Sequence, residues 1–284
     1  MTSAPTFSLL VVTTNRLPEV RRLFTSLCQQ TFRDFSLIFA YEVAYANVMV
    51  PLISEFKDRL TILAQPLPHC GISEARNRCL SRLTGSYIAF PDDDCIYAPD
   101  TLEKVASIFT SHSKVDAVLG HRVDIETINT GVVPEAASKA LLPVNIYNLF
   151  TGSETFVQFI SRACVDALDG FGEKLGAGTK YPYGCGEDTD YILRIYTKGF
   201  TVVRALDVIV GHKSVDYNNK SLLKKTDSYA NGRMYLLRKH HLPWWFRLVN
   251  VLYPLACLPL EVLRSGIKGA AYRWCMFVSR AKYL

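Results

Sequence analysis

Several motifs that would define a function class are missing from this sequence. Eight cysteines are scattered over the 284 residues and none forms a Cys-x-x-Cys pair, which argues against a zinc site. There is no Walker A loop and no strand–turn–helix motif with a nucleophilic serine. Internal repeats and low-complexity tracts are also absent. These absences argue against P-loop enzymes, serine hydrolases and repeat proteins.

The N-terminus also lacks the features of a secretory signal. Residues 1–6 contain no basic residue and no long apolar run. We therefore expect a cytoplasmic protein whose cysteines are reduced. With 49% hydrophobic residues, the chain is neither disordered nor typical of a polytopic membrane protein. Its length suffices for one large domain with an appendage.

Strand and helix patterns alternate from the N-terminus onward. Residues 7–12 and 35–40 are short apolar runs typical of buried strands, and Pro18 opens a helical pattern between them. A β-α-β start of this kind favours a parallel sheet. We therefore predict an α/β fold with a mostly parallel sheet flanked by helices.

This α/β domain is predicted to cover residues 1–219, with one half at 1–110 and the other at 111–219. Its last two strands are expected at residues 200–203 and 206–210. Residues 121–150 are the least regular part, and we predict a loop-rich insertion with a short helix that shapes a substrate pocket.

Three consecutive aspartates follow a short buried strand. Residues 87–90 are apolar and β-prone, Asp92, Asp93 and Asp94 follow, and a helical pattern begins at Pro99. In open α/β sheets ligands bind at this edge. Crowded carboxylates repel one another unless a cation is present, and oxygen ligands suit Mg²⁺ or Mn²⁺. The alternative is an acidic surface turn that caps the following helix.

Four segments together resemble the nucleotide-sugar site of family 2 glycosyltransferases. They are the Gly-x-x-x-Ala-Arg-Asn helix at 71–77, the strand and aspartates at 85–94, Pro-Asp-Thr-Leu at 99–102, and Gly-Glu-Asp-Thr-Asp at 186–190. The resemblance covers residues 7–213 and implies a GT-A fold. It also implies an enzyme that moves a hexosyl or N-acetylhexosaminyl group from a nucleotide-diphosphate sugar, a UDP-sugar first of all, to a hydroxyl of a glycan or lipid-linked acceptor.

The resemblance assigns the leaving-group side of the site to a metal. Asp94 matches the second aspartate of the family's Asp-x-Asp motif, and Asp93 and His212 are further candidate ligands of Mn²⁺ or Mg²⁺. A divalent cation would stabilise the departing diphosphate. The alternative for His212 is a structural histidine at the end of a strand.

The catalytic base is expected far along the chain. An inverting transfer needs a base that takes the proton of the attacking hydroxyl, and by the family's pattern Asp188 is that base, beside Glu187. The alternative is that both acids only favour the helix dipole of the helix that starts there. Asp190 is predicted to contact the acceptor or to support the site from behind.

The remaining substrate contacts are predicted from the same pattern. They fall on the turn after the first strand, on the end of the second strand, on the Ala-Arg-Asn helix and on the acidic turn: Thr13, Asn15, Arg16, Glu42, Arg76, Asp92 and Asp93. A guanidinium such as that of Arg76 grips diphosphate in a bidentate way. The chain departs from the family at Thr14, at Tyr41-Glu42, where an Asp pair is usual, and at Gly172, which replaces an Asp.

Positive charge is concentrated at the C-terminus. Residues 220–284 contain 12 Lys and Arg against 2 Asp and Glu, and alternate basic with apolar and aromatic residues. Prolines and charges interrupt the apolar run at 244–263, so it is a poor fit to a spanning helix of about 20 residues.

An amphipathic helical tail lying on a membrane surface fits this pattern, with its basic residues facing lipid headgroups. We therefore expect a peripheral protein on the inner face of the cell membrane. Packing of the tail on the domain or on a second copy of the chain is the alternative. No nucleic-acid-binding motif is present.

Two other function classes remain open from the residues alone. Sugar nucleotidyltransferases share a similar βαβ plan, but the turn at 13–16 lacks their glycines. A non-catalytic subunit that recruits a partner to the membrane is the third hypothesis, against which the Asp93-Asp94 and Glu187-Asp188 pairs argue.

Overall fold

The computed structural model describes residues 6–129, 140–217 and 219–284. Its strands are β1 Phe7–Thr13, β2 Phe35–Glu42, β3 Ile62–Leu67, β4 Tyr87–Ala89, β5 Ile96–Tyr97, β6 Ala117–Asp124, β7 Leu141–Pro143, β8 Gln158–Ser161 and β9 Val202–His212. Its helices are α1 Leu17–Cys28, α2 Ala46–Phe56, α3 Ile72–Cys79, α4 Thr101–Ser111, α5 Ile125–Asn129, α6 Arg162–Asp166, α7 Glu187–Thr197, α8 Lys220–Lys239, α9 Trp244–Ala256 and α10 Leu258–Lys282.

The strands of the described residues form one mixed sheet. Its order is β3-β2-β1-β4-β8-β6-β9-β5, and β7 also pairs with β9. The first four strands in this order run parallel, as do β6 and β9, whereas β8 is antiparallel to both of its neighbours. This arrangement confirms the α/β fold predicted from the β-α-β start.

The core lies where α1, α2 and α4 cover one face of the sheet. Residues 7, 9 and 11 of β1 all point to this face, because successive side chains of a strand point to opposite sides of the sheet. α1 presents Val20, Leu23, Phe24 and Leu27 to them at helical spacing, and its first turn begins with a proline, which favours a helix start.

β9 differs from its prediction, because one continuous strand replaces the two expected at 200–203 and 206–210. Arg204 and Ala205 fall in the expected gap, but they pair with Leu142 and Leu141 of β7. The Arg204 guanidinium also donates hydrogen bonds to the carbonyls of Thr151 and Gly152 at 2.8 and 2.6 Å. These partners are distant in sequence, so a local pattern could not reveal them.

The predicted insertion at 121–150 is only partly visible. α5, β7 and a short 3₁₀ helix at Asn148–Phe150 lie within it, so the expected short helix is present. Residues 130–139 of this prediction lie outside the described residues, and the proposed role in shaping a substrate pocket stays a prediction.

The chain forms two compact units. The first contains the described residues of Met1–Cys70, Glu74–Phe171 and Tyr191–Ser214, and it holds the whole sheet. The second contains Gly71–Ser73, Gly172–Asp190 and the described residues of Val215–Leu284, which include α8, α9 and α10.

Within the described residues, no single helix is long and apolar enough to cross a membrane. α9 and α10 meet that length and composition requirement only as a pair, and the two helices are bent by 52° relative to each other.

Candidate active site

Two strand registers build the acidic centre of the first unit. β5 pairs antiparallel with β9, and Ile96 lies opposite Gly211. The turn that ends at Asp94 therefore reaches the last residue of β9, His212. On the other side β4 runs parallel to β1 with Ala89 opposite Leu9, so that Asp93 and Thr13, each four residues further on, come together.

The three aspartates of the turn have different partners. The Thr13 hydroxyl donates to Asp93 Oδ2 at 2.6 Å, and Arg16 Nη1 lies 3.1 Å from Asp93 Oδ1. Asp94 Oδ1 lies 3.1 Å from His212 Nε2, and its Oδ2 accepts from Arg16 Nη1 at 2.8 Å. Asp92 Oδ1 accepts from Arg76 Nη2 at 3.0 Å. Each carboxylate is therefore held in its own direction.

Asp92, Asp94 and His212 form a potential metal centre. One ligand atom of each lies within 4.8 Å of the others. Two carboxylates and one imidazole suit a divalent cation such as Mn²⁺. The prediction grouped Asp93 with Asp94 and His212, but the structure places Asp92 in that group, because the Asp93 carboxylate is turned toward Thr13 and Arg16.

Two further contacts orient the imidazole of His212, one at Nδ1 and one on the face of the ring. Its Nδ1 lies 2.9 Å from the carbonyl of Lys213, which can only accept, so Nδ1 carries the proton and Nε2 points at Asp94. The Phe156 ring stacks on the imidazole at 4.6 Å with an interplanar angle of 8°. Contacts of this kind fix the tautomer and the ring orientation of a metal ligand.

Burial and neighbouring charges separate the pKa values of the three acids. Burial raises the pKa of Asp92, against the attraction of Arg76. It also raises the pKa of Asp93 to about 6, although Thr13 and Arg16 lower it. Burial acts in the same direction on Asp94, but the hydrogen bond and charge of His212 outweigh it and lower the pKa. Burial lowers the pKa of His212, but the hydrogen bond and the charge of Asp94 together raise it by more, so the net shift is upward. The ionised carboxylate is therefore favoured at Asp94 and disfavoured at Asp92 and Asp93.

Arg76 lies under the acidic turn. Its side chain is 3% exposed, it donates to Thr155 Oγ1 at 2.9 Å as well as to Asp92, and its guanidinium lies 5.1 Å from the centre of the Phe171 ring. The next residue, Asn77, exchanges two hydrogen bonds with the backbone of Phe171. The Ala-Arg-Asn sequence therefore places a guanidinium beside Asp92 and fixes the backbone at Phe171.

The predicted base and ribose contacts lie at the ends of the first three strands. Glu42 is partly exposed, and its Oε2 lies 3.0 Å from His69 Nδ1. These two residues line a small hollow together with Thr13, Thr14, Tyr41, Leu67, Pro68 and Ala75. Asn15 is exposed, and its carbonyl accepts from Leu17 N–H at 3.0 Å.

The predicted acidic helix start belongs to the second unit. Asp188 is half-buried in the first turn of α7, where its Oδ1 accepts from the N–H of Thr189 at 2.6 Å. Glu187 is also half-buried and opens the helix. Carboxylates in this position are stabilised in their charged form by the helix dipole.

Asp190 is placed differently from the prediction of a substrate contact. Its carboxylate is fully buried, with Lys239 Nζ at 2.6 Å and His240 Nε2 at 2.8 Å. Direct contact with an acceptor does not fit this burial, and the side chain instead ties α7 to the end of α8. Gly172 packs closely against this pair, since a Cβ there would lie 3.2 Å from Asp190 Oδ2 and 3.5 Å from Lys239 Nζ.

Two residues of the site were not predicted, Thr155 and Phe156. Both precede β8, which pairs antiparallel with β4 with Phe159 opposite Ala89. That register carries Thr155 and Phe156 back alongside the acidic turn. No motif marks them in the sequence. Only the antiparallel pairing could have identified them.

Comparisons with known proteins agree with this geometry. The family described as "Glycosyl transferase family 2" matches residues 8–158, more than half of the chain. A "PGL/p-HBAD biosynthesis glycosyltransferase" of Mycobacterium bovis is 30% identical over 125 residues, which are 42% of this chain and 47% of that protein. An uncharacterized glycosyltransferase of Haemophilus influenzae is 28% identical over 124 residues, 44% of this chain and 41% of that protein. The chain thus spans less than half the length of these relatives.

Solved structures of the same fold cover nearly the whole chain. The mannosyltransferase PcManGT from Pyrobaculum calidifontis, in complex with GDP-Man and Mn²⁺, superposes with a TM-score of 0.65 at 18% identity, over 99% of this chain and 86% of that one. S. aureus TarS 1-349 in complex with UDP-GlcNAc gives a TM-score of 0.63 at 16% identity, over 98% and 92%. These likenesses confirm the predicted GT-A fold.

Proposed function

The chain belongs to glycosyltransferase family 2, and from this premise we propose that it moves a sugar from a nucleoside-diphosphate sugar to a hydroxyl of a glycan or lipid-linked acceptor, with inversion. Membership favours a glycosyltransferase over a sugar nucleotidyltransferase, and the acidic residues of the site argue against a non-catalytic subunit. The observation that carries the finer proposal is the Asp92–Asp94–His212 cluster with two arginines bound to its aspartates.

A nucleoside diphosphate suits the charges of this site. Arg16, whose side chain is 51% exposed, supplies a guanidinium group that binds phosphate oxygens well. Arg76 does not fit the predicted contact with the diphosphate, because its side chain is 3% exposed and it holds Asp92 instead. The hollow around Glu42 offers a carboxylate to a base or ribose hydroxyl. TarS and PcManGT have been solved with UDP-GlcNAc and GDP-Man, which supports a nucleotide-sugar donor. A UDP-sugar is our first candidate.

Asp92, Asp94 and His212 would hold the divalent cation, and the carboxylate and imidazole donors fit Mn²⁺ best, with Mg²⁺ second. The cation of PcManGT supports this assignment. A bound cation supplies positive charge that stabilises the diphosphate leaving group. Arg16 contributes charge to the same place, since its Nη1 lies 2.8 Å from Asp94.

We assign the second chemical task, deprotonation of the acceptor, to Asp188. It stands partly exposed at a helix start, where the dipole and the Thr189 N–H keep a carboxylate ionised. An ionised, solvent-accessible carboxylate can accept the proton of an attacking hydroxyl. Glu187 favours the same helix start and is proposed to contact the substrate beside it.

The first test is a panel of nucleotide sugars with and without Mn²⁺. We expect hydrolysis or transfer from one donor class, lost when EDTA removes the metal and restored by Mn²⁺, and a product of inverted anomeric configuration in its NMR spectrum. Turnover that is indifferent to metal would overturn the metal assignment, and a retained configuration would overturn the inverting mechanism.

The second test replaces the base. Asp188→Asn should leave donor binding in calorimetry unchanged and lower kcat by about 10²–10⁴-fold, the range that general-base catalysis contributes. Asp58→Asn, which removes an exposed carboxylate of the first unit, is the matched control and should change neither. Normal transfer by Asp188→Asn would show that another group is the base.

A further inference from the structure

The exposed face of α9 is apolar and its buried face is partly polar. Its exposed large side chains are Trp244, Trp245, Leu248, Val249, Leu252, Tyr253 and Leu255. None is charged, and together they form adjacent stripes at helical spacing. Asn250 points the other way and is 6% exposed, accepting from Arg233 Nε at 3.0 Å. A helix in contact with water has the opposite arrangement.

α10 repeats this inversion. Glu261 is 7% exposed and its carboxylate accepts from Ser265 Oγ and Arg273 Nε, both at 2.8 Å. Leu263 and Ile267 of the same helix are each 84% exposed. Beyond the break at Gly266, whose φ is 66°, Ile267 begins an outward stripe that continues with Ala271, Trp274 and Val278.

Apolar exposure is concentrated on these two helices. Thirteen of the twenty-two exposed large apolar side chains of the described residues lie on α9 and α10, which are only 13 and 25 residues long. Water-soluble monomers rarely expose contiguous apolar surface on this scale, and where they do it marks an interaction site. The α9–α10 face therefore needs an apolar partner.

The basic residues of the tail do not all face outward, which corrects the expectation from the sequence. Arg273 binds Glu261, Arg280 Nη1 donates to the Asn250 carbonyl at 2.7 Å, and Lys282 Nζ lies 3.3 Å from Asp227. Arg280 and Lys282 connect α10 to α9 and α8, whereas Arg273 and Glu261 both belong to α10 and lie on either side of the break at Gly266. Arg264 and Lys268, on either side of the break at Gly266, are exposed beside the apolar stripe.

We propose that the α9–α10 face is a monotopic membrane anchor, seated in the hydrocarbon of one leaflet with Arg264 and Lys268 at the level of anionic phosphate headgroups. The proposal stands on this surface alone and does not depend on the reaction. Apolar contact supplies most of the attachment, and the exposed cations supply charge complementarity with the lipid.

The geometry favours one leaflet over a complete span. α9 has 13 residues and is about 20 Å long, too short for a hydrocarbon core of about 30 Å. α10 is interrupted at Gly266, and its other side is committed to Glu261, Arg273 and Arg280. Only one side of the pair is apolar, as in helices that lie in the plane of a membrane.

A bilayer also suits the surface better than a second copy of this chain. Two-fold pairing brings the same patch of each subunit together, so Arg264 and Lys268 of both copies would lie close and repel. An anionic lipid surface attracts the same residues. The tryptophans at the start of α9 are of the type enriched at membrane–water interfaces.

Flotation of the full chain with vesicles tests the anchor. We expect binding to phosphatidylcholine vesicles, tighter binding when phosphatidylglycerol is added, and retention of most bound protein in molar salt, which screens charges but not apolar contact. The double variant Leu263→Asp/Ile267→Asp should lower partitioning at least about tenfold. Arg264→Gln/Lys268→Gln should remove only the gain from phosphatidylglycerol.

The matched control is Val43→Asp/Val50→Asp, which adds the same charge at exposed apolar positions of the first unit and should bind as the wild type does. Thermal melting shows that each variant is folded. Failure of the wild type to float, or complete release by salt, overturns the apolar anchor. A dimer that light scattering detects without lipid and that Leu263→Asp/Ile267→Asp dissociates assigns the face to a second copy instead.

Protease added outside sealed vesicles tests the one-leaflet arrangement. A C-terminal peptide tag should remain fully cleavable in the vesicle-bound protein. Protection of the tag would mean that the chain crosses the bilayer and would overturn the monotopic proposal.

Discussion

Three adjacent aspartates of one turn have different partners because their side chains meet different elements. Asp93 is turned to Thr13 of β1, Asp94 to His212 of β9, and Asp92 to Arg76 of α3. The local sequence alone does not distinguish these three acids. Their partners come from two strands and one helix that are distant in sequence, and these contacts fix the direction of each carboxylate.

The role of His212 can be tested by its removal. His212→Ala should weaken Mn²⁺ binding in the presence of UDP by at least about tenfold, since even indirect partners of a metal site contribute 10–100-fold. Mn²⁺ titration followed by calorimetry measures this. His121→Ala, an exposed histidine of β6, is the matched control. An unchanged Mn²⁺ affinity in His212→Ala would remove this residue from the metal centre.

At the scale of single elements, close packing of β4 on β1 positions the acidic turn. Gly85 precedes β4, and a Cβ at this position would lie 2.5 Å from the backbone nitrogen of Ser8 and 2.7 Å from the carbonyl carbon of Phe7. The Gly85 N–H also donates to Ser8 Oγ at 2.9 Å. No side chain fits there without moving the strand that carries Asp92 and Asp94.

Gly85→Ala should therefore destabilise the protein. Overpacking against rigid backbone costs about 1–3 kcal/mol, and urea denaturation monitored by circular dichroism should show a lower midpoint. The neighbouring substitution Ser86→Ala changes an exposed residue and should leave the midpoint unchanged. Equal midpoints for the two variants would mean that β4 can move away from β1 at no cost.

Asp190 provides a second prediction at this scale. Its buried carboxylate is paired with Lys239 and His240, and Asp190→Asn removes the negative charge from between two basic groups. Breaking a buried pair costs about 3–5 kcal/mol, at the low end here because Lys239 is one-third exposed. Thermal melting should show the loss, with Asp216→Asn, an exposed acid, as the control. A variant as stable as the control would refute the structural role.

Over the whole molecule, charge and apolar surface are unevenly distributed. Residues 1–219 contain 20 Lys and Arg against 24 Asp and Glu, whereas residues 220–284 contain 12 against 2. The latter segment also carries most of the exposed large apolar side chains. Peripheral attachment to the inner face of the cell membrane remains our proposal for its location, and it suits an acceptor held in that membrane.

If both proposals hold, transfer should depend on how the acceptor is presented. A lipid-linked acceptor in vesicles should be used about 10²-fold faster than its water-soluble headgroup at the same bulk concentration, because surface attachment raises the effective concentration. Leu263→Asp/Ile267→Asp should lose this advantage and keep its rate with the soluble acceptor. Equal rates on both acceptors would show that membrane attachment does not contribute to the transfer reaction.

The sequence alone determined the parts of this protein that depend on contiguous residues. Alternating strand and helix patterns predicted the α/β fold, and the segments at 71–77, 85–94 and 186–190 predicted the family, because each is a local motif with its own spacing. The candidate acids Asp94 and Asp188 were predicted for the same reason. The sequence did not predict that β9 is one continuous strand, because its middle residues pair with β7, which is distant in sequence.

Only the tertiary structure decided which residues meet and which faces remain exposed. Antiparallel pairing of β8 with β4 brings Thr155 and Phe156 to the acidic turn, and pairing of β5 with β9 brings His212 to Asp94. Periodicity shows that α10 has two kinds of face but not which one is buried. The Glu261–Arg273 pair lies on the inner side of α10, because a buried carboxylate needs a cation beside it, and Leu263 and Ile267 remain outside.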